Sequence, residues 1–81
     1  MGGIDFEGPD PLYVQLANLI RSRIQNGTYP LDRRIPSVAE LVQETGLANT
    51  TVQQGLRILK DEGILRAVPG RGTFAVKPDD D

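Results

Sequence analysis

Two residue types that support catalysis and metal binding are missing from this sequence. It contains no cysteine, so it can form neither a disulfide bond nor a thiolate metal site. It contains no histidine, which is the most common general base and the most common metal ligand. The composition therefore argues against an enzyme, and we expect no metal ion and no cofactor.

Long apolar segments are missing as well. The longest apolar runs are too short to cross a bilayer, and no signal-peptide pattern opens the chain. We therefore expect a cytoplasmic protein without membrane contact. The 81 residues, 38% of them hydrophobic, predict one small domain near the lower size limit for a self-sufficient core.

Positively charged residues are also fewer than negatively charged ones. The chain has nine lysines and arginines and eleven aspartates and glutamates, so its net charge is −2. The two signs are separated along the chain, however. All nine cationic side chains lie within residues 21–77, and residues 11–77 carry only five acidic ones, which leaves this part at +4. A mildly basic body between acidic ends is compatible with binding to phosphate groups.

Helix signals occur three times. Apolar spacing predicts a first helix over residues 11–26, with Asp10 as its N-cap and with one face formed by Tyr13, Leu16, Ala17, Ile20 and Ile24. Ser37 and Glu40 form the capping-box pattern that starts a second helix, which Gly46 ends.

A third helix follows, with Leu47 as an apolar plug between it and the second. Asn49 or the residue before it is expected to cap this helix, and Gly63 to close it. Its inward face is formed by Val52, Leu56 and Leu59.

Residues 64–76 change to the period of β-strands. Strands over residues 65–68 and 73–76 are joined by residues 69–72, where two glycines supply positive φ angles. Residues 34–35 are expected to form a very short additional strand. Three helices and a hairpin predict a mainly α fold, a winged helix-turn-helix over residues 11–77, between a disordered lead-in (1–10) and an acidic tail (78–81).

The sequence resembles the GntR-type DNA-binding domain over about residues 11–77. The resemblance is carried by Pro11-Leu12-Tyr13 with Gln15, Ile24 with Gly27, Pro36-Ser37, Thr51-Val52, Leu56, Leu59 with Gly63, and Gly70-Arg71-Gly72-Thr73-Phe74. Such domains are N-terminal modules of bacterial transcriptional regulators, usually repressors, that bind palindromic double-stranded DNA operators as dimers. The resemblance implies DNA contacts at the start of the third helix and at the wing tip.

Three arginines that are typical of the family are absent from this reading surface. The positions after Pro36-Ser37 hold Val38 and Ala39, where the family has Glu-Arg. Asn49 and Gln53 stand where the family has arginines on either side of its Thr-Val pair. The family's usual operator preference is therefore not expected here.

The side chains of the third helix suggest what replaces that preference. Asn49, Gln53 and Gln54 can present a donor and an acceptor together, which is the pattern that pairs with adenine, and Arg57 can reach guanine or a phosphate. Hydroxyl groups of Thr50 and Thr51 suit phosphates at a helix N-terminus. The predicted DNA-binding residues are Ser37, Asn49, Thr50, Thr51, Gln53, Gln54, Arg57, Gly70, Arg71 and Gly72.

Other interpretations are weaker. Residues 70–72 precede a strand and not a helix, so they do not form a nucleotide-binding loop. Residues 79–81 form a solvated tail or, less plausibly, a cation site. A winged helix can also serve protein–protein contact without DNA binding.

One small module binds DNA weakly, so we expect a homodimer in the full-length protein. The chain is then expected to be either a fragment or a natural short form.

Overall fold

The computed structural model describes residues 4–77; residues 1–3 and 78–81 lie outside the described part. The chain forms three helices and then two strands: α1 Leu12–Gln25, α2 Val38–Thr45, α3 Asn49–Asp61, β1 Leu65–Val68 and β2 Gly72–Ala75. The strands pair antiparallel. This order confirms the predicted winged helix-turn-helix. None of the described helices is both long and apolar enough to span a bilayer.

α1 begins one residue later than predicted, and Asp10 is not its N-cap. Pro11 holds that position with φ −54° and ψ 148° and without a side-chain capping bond. Instead, the side-chain amide of Gln15 donates to the carbonyl groups of Asp5 at 2.8 Å and Asp10 at 2.9 Å. Gln15 therefore fixes the chain ahead of the helix in place of an acidic cap.

The division into lead-in, domain and tail remains a prediction, and the tail lies outside the described residues.

α2 has the predicted boundaries because both ends carry strong local signals. The amide of Glu40 donates to Oγ of Ser37 at 3.1 Å, and the amide of Ser37 donates to Oε1 of Glu40 at 2.8 Å. These two bonds form the predicted capping box. Gly46 ends the helix in the left-handed region with φ 78°.

The core lies where the three helices meet the base of the hairpin. Val52, Leu56 and Leu59 of α3 are at most 4% exposed, which confirms the predicted inward face, and Leu47 is also buried as predicted. The predicted apolar face of α1 is buried only in its middle, because Tyr13 at its start remains 38% exposed. The buried apolar residues are Leu16, Ala17, Ile20, Ile35, Leu41, Leu47, Val52, Leu56, Leu59, Leu65 and Ala75.

α1 and α3 pack closely at Gly55, which the sequence pattern did not single out. A Cβ built at Gly55 would lie 2.9 Å from the carbonyl oxygen of Tyr13 and 2.8 Å from Cδ2 of Leu16. Only a hydrogen atom fits there, so Gly55 sets the separation of the two helices.

The second strand begins and ends one residue earlier than predicted, over Gly72–Ala75. Gly72 pairs with Val68, so the turn has three residues. The amide of Arg71 donates to the carbonyl of Val68 at 2.9 Å, and Gly70 takes φ 79°, which closes the turn. The predicted short strand at residues 34–35 is a single bridge between Arg34 and Phe74 on the other edge of β2.

Candidate nucleic-acid interface

The outward side of α3 carries five of the ten residues predicted to contact DNA. The buried apolar residues of α3 define its core side. Because the helix has 3.6 residues per turn, the remaining positions lie on the opposite side. Asn49, Thr50, Gln53, Gln54 and Arg57 are all exposed. Thr51, predicted with them, is half-buried at the boundary between the two sides.

Two amides on this side are joined to each other. The side-chain NH₂ of Gln53 donates a hydrogen bond to Oδ1 of Asn49, one helical turn earlier. Asn49 keeps its own NH₂ as a donor, and Gln53 keeps its Oε1 as an acceptor. The pair thus presents a donor from Asn49 and an acceptor from Gln53, held one helical turn apart.

The N-terminus of α3 differs from that of α2. Its N-cap is Ala48, which is the residue before Asn49 and provides no side-chain capping bond. The amide groups of the first turn therefore have no side-chain acceptor at the N-cap. These amides and the helix dipole favour an anion at this position.

A groove runs between α3, the start of α2 and the wing. Its two halves share a floor formed by Val38, Leu56 and Thr73. Of the predicted residues, the lining includes Ser37, Thr50, Gln53, Gln54, Arg57 and Gly72. Asn49, Thr51, Gly70 and Arg71 do not line it.

Five polar residues of this groove were not among the predicted contacts: Arg34, Glu40, Lys60, Asp61 and Thr73. Lys60 has the outward spacing of the other α3 residues, so the helical period alone could have added it. Thr73 follows directly on the glycine-rich turn and lies in both halves of the groove. The sequence predicted a short strand at residues 34–35 but not its pairing with β2, and only this pairing brings Arg34 to the groove.

Ser37 has a structural role that partly occupies its hydroxyl group. Its Oγ accepts from the amide of Glu40 in the capping box. The hydroxyl proton takes no part in that bond and can still be donated to a phosphate oxygen.

The wing tip is formed by the turn between the strands. Gly70 and Arg71 are exposed there, and Arg71 has no ion pair within the described chain. The left-handed conformation of Gly70 allows the turn to be short, so Arg71 projects from a tight tip.

Two ion pairs each neutralise one acidic and one basic side chain. Arg21 pairs with Glu62 at 2.6 Å, and Arg23 pairs with Glu44. The hydrogen bond from Arg23 lowers the pKa of the Glu44 carboxyl below its ordinary value. Arg21 and Arg23 thus connect α1 to the end of α3 and to α2, respectively.

The other cations are left without an ion pair within residues 4–77, and they include those beside the groove and at the wing. They are Arg33, Arg34, Arg57, Lys60, Arg66, Arg71 and Lys77. Across these described residues, no group of three or more acidic side chains comes close enough to hold a metal ion. Beside the groove and at the wing tip, the four cations Arg34, Arg57, Lys60 and Arg71 outnumber the two carboxylates Glu40 and Asp61, so this surface favours a polyanion although the whole chain is acidic.

Three helices, a hairpin wing and an exposed polar helix face beside unpaired cations define a helix-turn-helix module of the kind that transcription regulators carry. Residues 12–75 match the model of the "Bacterial regulatory proteins, gntR family", and the chain belongs to this family. The family consists of regulatory proteins and not of enzymes, in agreement with the prediction from the composition.

The chain resembles the amino-acid sequences of several bacterial repressors. It is 42% identical over 72 residues to the histidine utilization repressor of Pseudomonas putida, which covers 89% of this chain and 29% of that protein. It is 37% identical over 75 residues to the repressor NagR of Bacillus subtilis, covering 93% and 31%. The chain thus spans less than one third of the length of these relatives.

Solved structures agree with the fold. YtrA from Sulfolobus acidocaldarius, a GntR-family transcription factor, superposes with a TM-score of 0.82 at 31% identity, covering 91% of this chain and 78% of that one. The DNA-binding domain of AraR in complex with operator ORX1 superposes with a TM-score of 0.82 at 32% identity, covering 91% and 98%.

Proposed function

We propose that this domain reads an operator in double-stranded DNA, with α3 in the major groove and the wing on the flanking backbone or minor groove. The observation that carries the proposal is the exposed polar face of α3, with its free N-terminal amides, beside a groove that the wing closes. The AraR domain, which has the same fold over nearly its whole length, forms a complex with its operator.

The residues proposed to contact DNA divide by chemistry. The amide pair of Asn49 and Gln53, together with Gln54, contacts base edges, with a preference for adenine. Arg57 contacts guanine or a phosphate. The remaining contacts are to the backbone or the minor groove, and they come from Ser37, Thr50, Thr51, Gly70, Arg71 and Gly72.

The whole protein is proposed to be a cytoplasmic repressor that binds a palindromic operator as a homodimer. The support comes from its relatives, since both the Pseudomonas putida and the Bacillus subtilis proteins are named as repressors. One module of this size buries on the order of 600–1,000 Å² on DNA. Two copies on one operator supply the affinity and the specificity that one copy lacks.

Titration of the ¹⁵N-labelled 81-residue chain with duplex DNA tests the proposal. Amide shifts are expected at Ser37 and at residues 48–57 and 69–73, with none at the outer surface of α1. The titration is repeated at higher salt, where binding should weaken steeply, because phosphate contacts release counterions. Binding that is insensitive to salt, or shifts spread evenly over the domain, would contradict the proposal and favour a protein-binding role.

A further inference from the structure

Arg34 lies where the loop before α2 crosses the wing. Its backbone forms a bridge with Phe74, and hydrogen bonds flank that bridge. The amide of Ile35 donates to the carbonyl of Thr73 at 2.8 Å, and the amide of Ala75 donates to the carbonyl of Arg33 at 3.1 Å. Although residue 34 belongs to no regular element, its backbone is held as firmly as that of a strand residue.

Gly72 determines the path of the Arg34 side chain. A Cβ built at Gly72 would lie 2.6 Å from Cδ and 3.1 Å from Cγ of Arg34. The stem of Arg34 therefore occupies the space that a side chain at residue 72 would fill. Gly72 thus serves two purposes, since it also takes φ 116° at the start of β2.

The guanidinium of Arg34 has no partner within residues 4–77. The ion pairs of this part of the chain use Arg21 and Arg23, and no side-chain hydrogen bond involves Arg34. Glu40 lines the same groove, but its Oε1 accepts from the amide of Ser37 in the capping box. Arg34 is therefore an exposed cation on a fixed backbone, with its stem guided along the wing.

We propose that Arg34 binds a DNA phosphate beside the wing. This inference rests on the proposed function and adds a residue to the interface. It also offers a replacement for a missing charge, because Ala39 stands where the family resemblance implies an arginine. A phosphate contact carries no base preference, so Arg34 contributes affinity for all duplexes alike.

The salt dependence of binding to a short duplex of mixed sequence tests this assignment. R34M keeps an apolar stem over Gly72 and removes the charge, whereas R34K keeps the charge. The matched control is K77M, which removes one positive charge at a residue that lines a different groove beside Leu31 and Val76. Thermal melting of each variant establishes that it is folded.

R34M is expected to lower the slope of log K against log salt by about 0.9, the share of one phosphate. Between roughly 50 and 200 mM salt, the wild type then loses about 3.5-fold more affinity than R34M. R34K and K77M should keep the wild-type slope. A wild-type slope in R34M, or an equal decrease in R34M and K77M, would overturn the assignment while leaving the proposed function intact. Absence of salt-dependent binding by the wild type would overturn both.

Discussion

At the scale of single residues, the amide pair on α3 is proposed to determine which bases the domain can distinguish. Separate amides could each rotate to present a donor or an acceptor, and so could accept several base edges. The hydrogen bond from Gln53 to Asn49 fixes which atoms remain available. Specificity then belongs to the pair and not to either side chain.

Substitution of the pair gives a test with a characteristic pattern. Asn49→Ala and Gln53→Ala should each reduce the preference for A·T at one operator position by about 1–3 kcal/mol, the discrimination of one good bidentate contact. The double variant should lose no more than either single variant, because each substitution already breaks the pair. Selection from randomised operator pools measures all three preferences.

Lys60→Ala provides the control for that series, since Lys60 lies on the same helix and lines the groove. It should weaken binding to every sequence without changing the base preference. Two results would contradict base recognition by the Asn49–Gln53 pair. One is an additive loss in the double variant, and the other is a wild-type operator core of G alone, with no A·T preference.

The sequence predicted the exposed positions of α3 but not the relations between them. Exposure of Gln53 and Arg57 follows from the 3.6-residue period once the apolar positions are known. Arg34 could not be found in this way, because a bridge to a residue forty positions later brings it to the wing. Contacts that depend on tertiary pairing leave no periodic signal.

At the scale of elements, boundaries were predicted well where a local chemical signal exists. The capping box and Gly46 defined α2 at both ends. The start of α1 was displaced by one residue, because the side chain of Gln15 organises that turn from within the helix. The second strand was displaced in the same way, because the alternation pattern does not reveal the length of the turn.

The packing of α1 on α3 leads to a prediction about stability. Gly55→Ala should destabilise the domain by about 1–2 kcal/mol, because overpacking costs about 1–3 kcal/mol and the better helix propensity of alanine returns only part of it. The backbone carbonyl of Tyr13 cannot move away as a flexible side-chain end could. Urea denaturation followed by circular dichroism gives the free energy of unfolding.

Gln54→Ala is the matched control, at the preceding and exposed position of the same helix. It should change the free energy of unfolding by less than about 0.5 kcal/mol. A Gly55→Ala variant as stable as the wild type would show that the two helices can separate without cost.

At the scale of the whole molecule, the charge distribution explains how an acidic chain can carry a surface for DNA. Glu44 and Glu62 are engaged by arginines of α1, away from the groove. Arg34, Arg57 and Lys60 line the groove without an ion pair within residues 4–77, and Arg71 lies unpaired at the wing tip. The net charge of −2 was therefore a poor guide, whereas the separation of signs along the sequence pointed in the right direction.

The size of the domain leads to the last prediction. Two copies joined by a flexible linker should bind two half-sites spaced by one helical turn at least about 100-fold more tightly than one copy binds a single half-site. Electrophoretic mobility shifts with labelled duplexes measure both affinities. Moving one half-site by half a turn places it on the opposite side of the duplex, and most of the gain should then disappear. Equal affinity at both spacings would mean that the two domains do not read one face of DNA together.

The unlike beginnings of α2 and α3 have a further consequence. The side chains of Ser37 and Glu40 form hydrogen bonds with the backbone amides at the start of α2, so this end of the helix is capped in the free protein. The N-cap of α3 is Ala48, and no side chain forms a capping hydrogen bond there. An anion that accepts from its first amides supplies the missing acceptor, so in the proposed complex the nucleic acid completes the helix that reads it. The two helices then differ in what binding supplies: the first turn of α2 needs no acceptor from outside the protein, whereas that of α3 gains one from the nucleic acid.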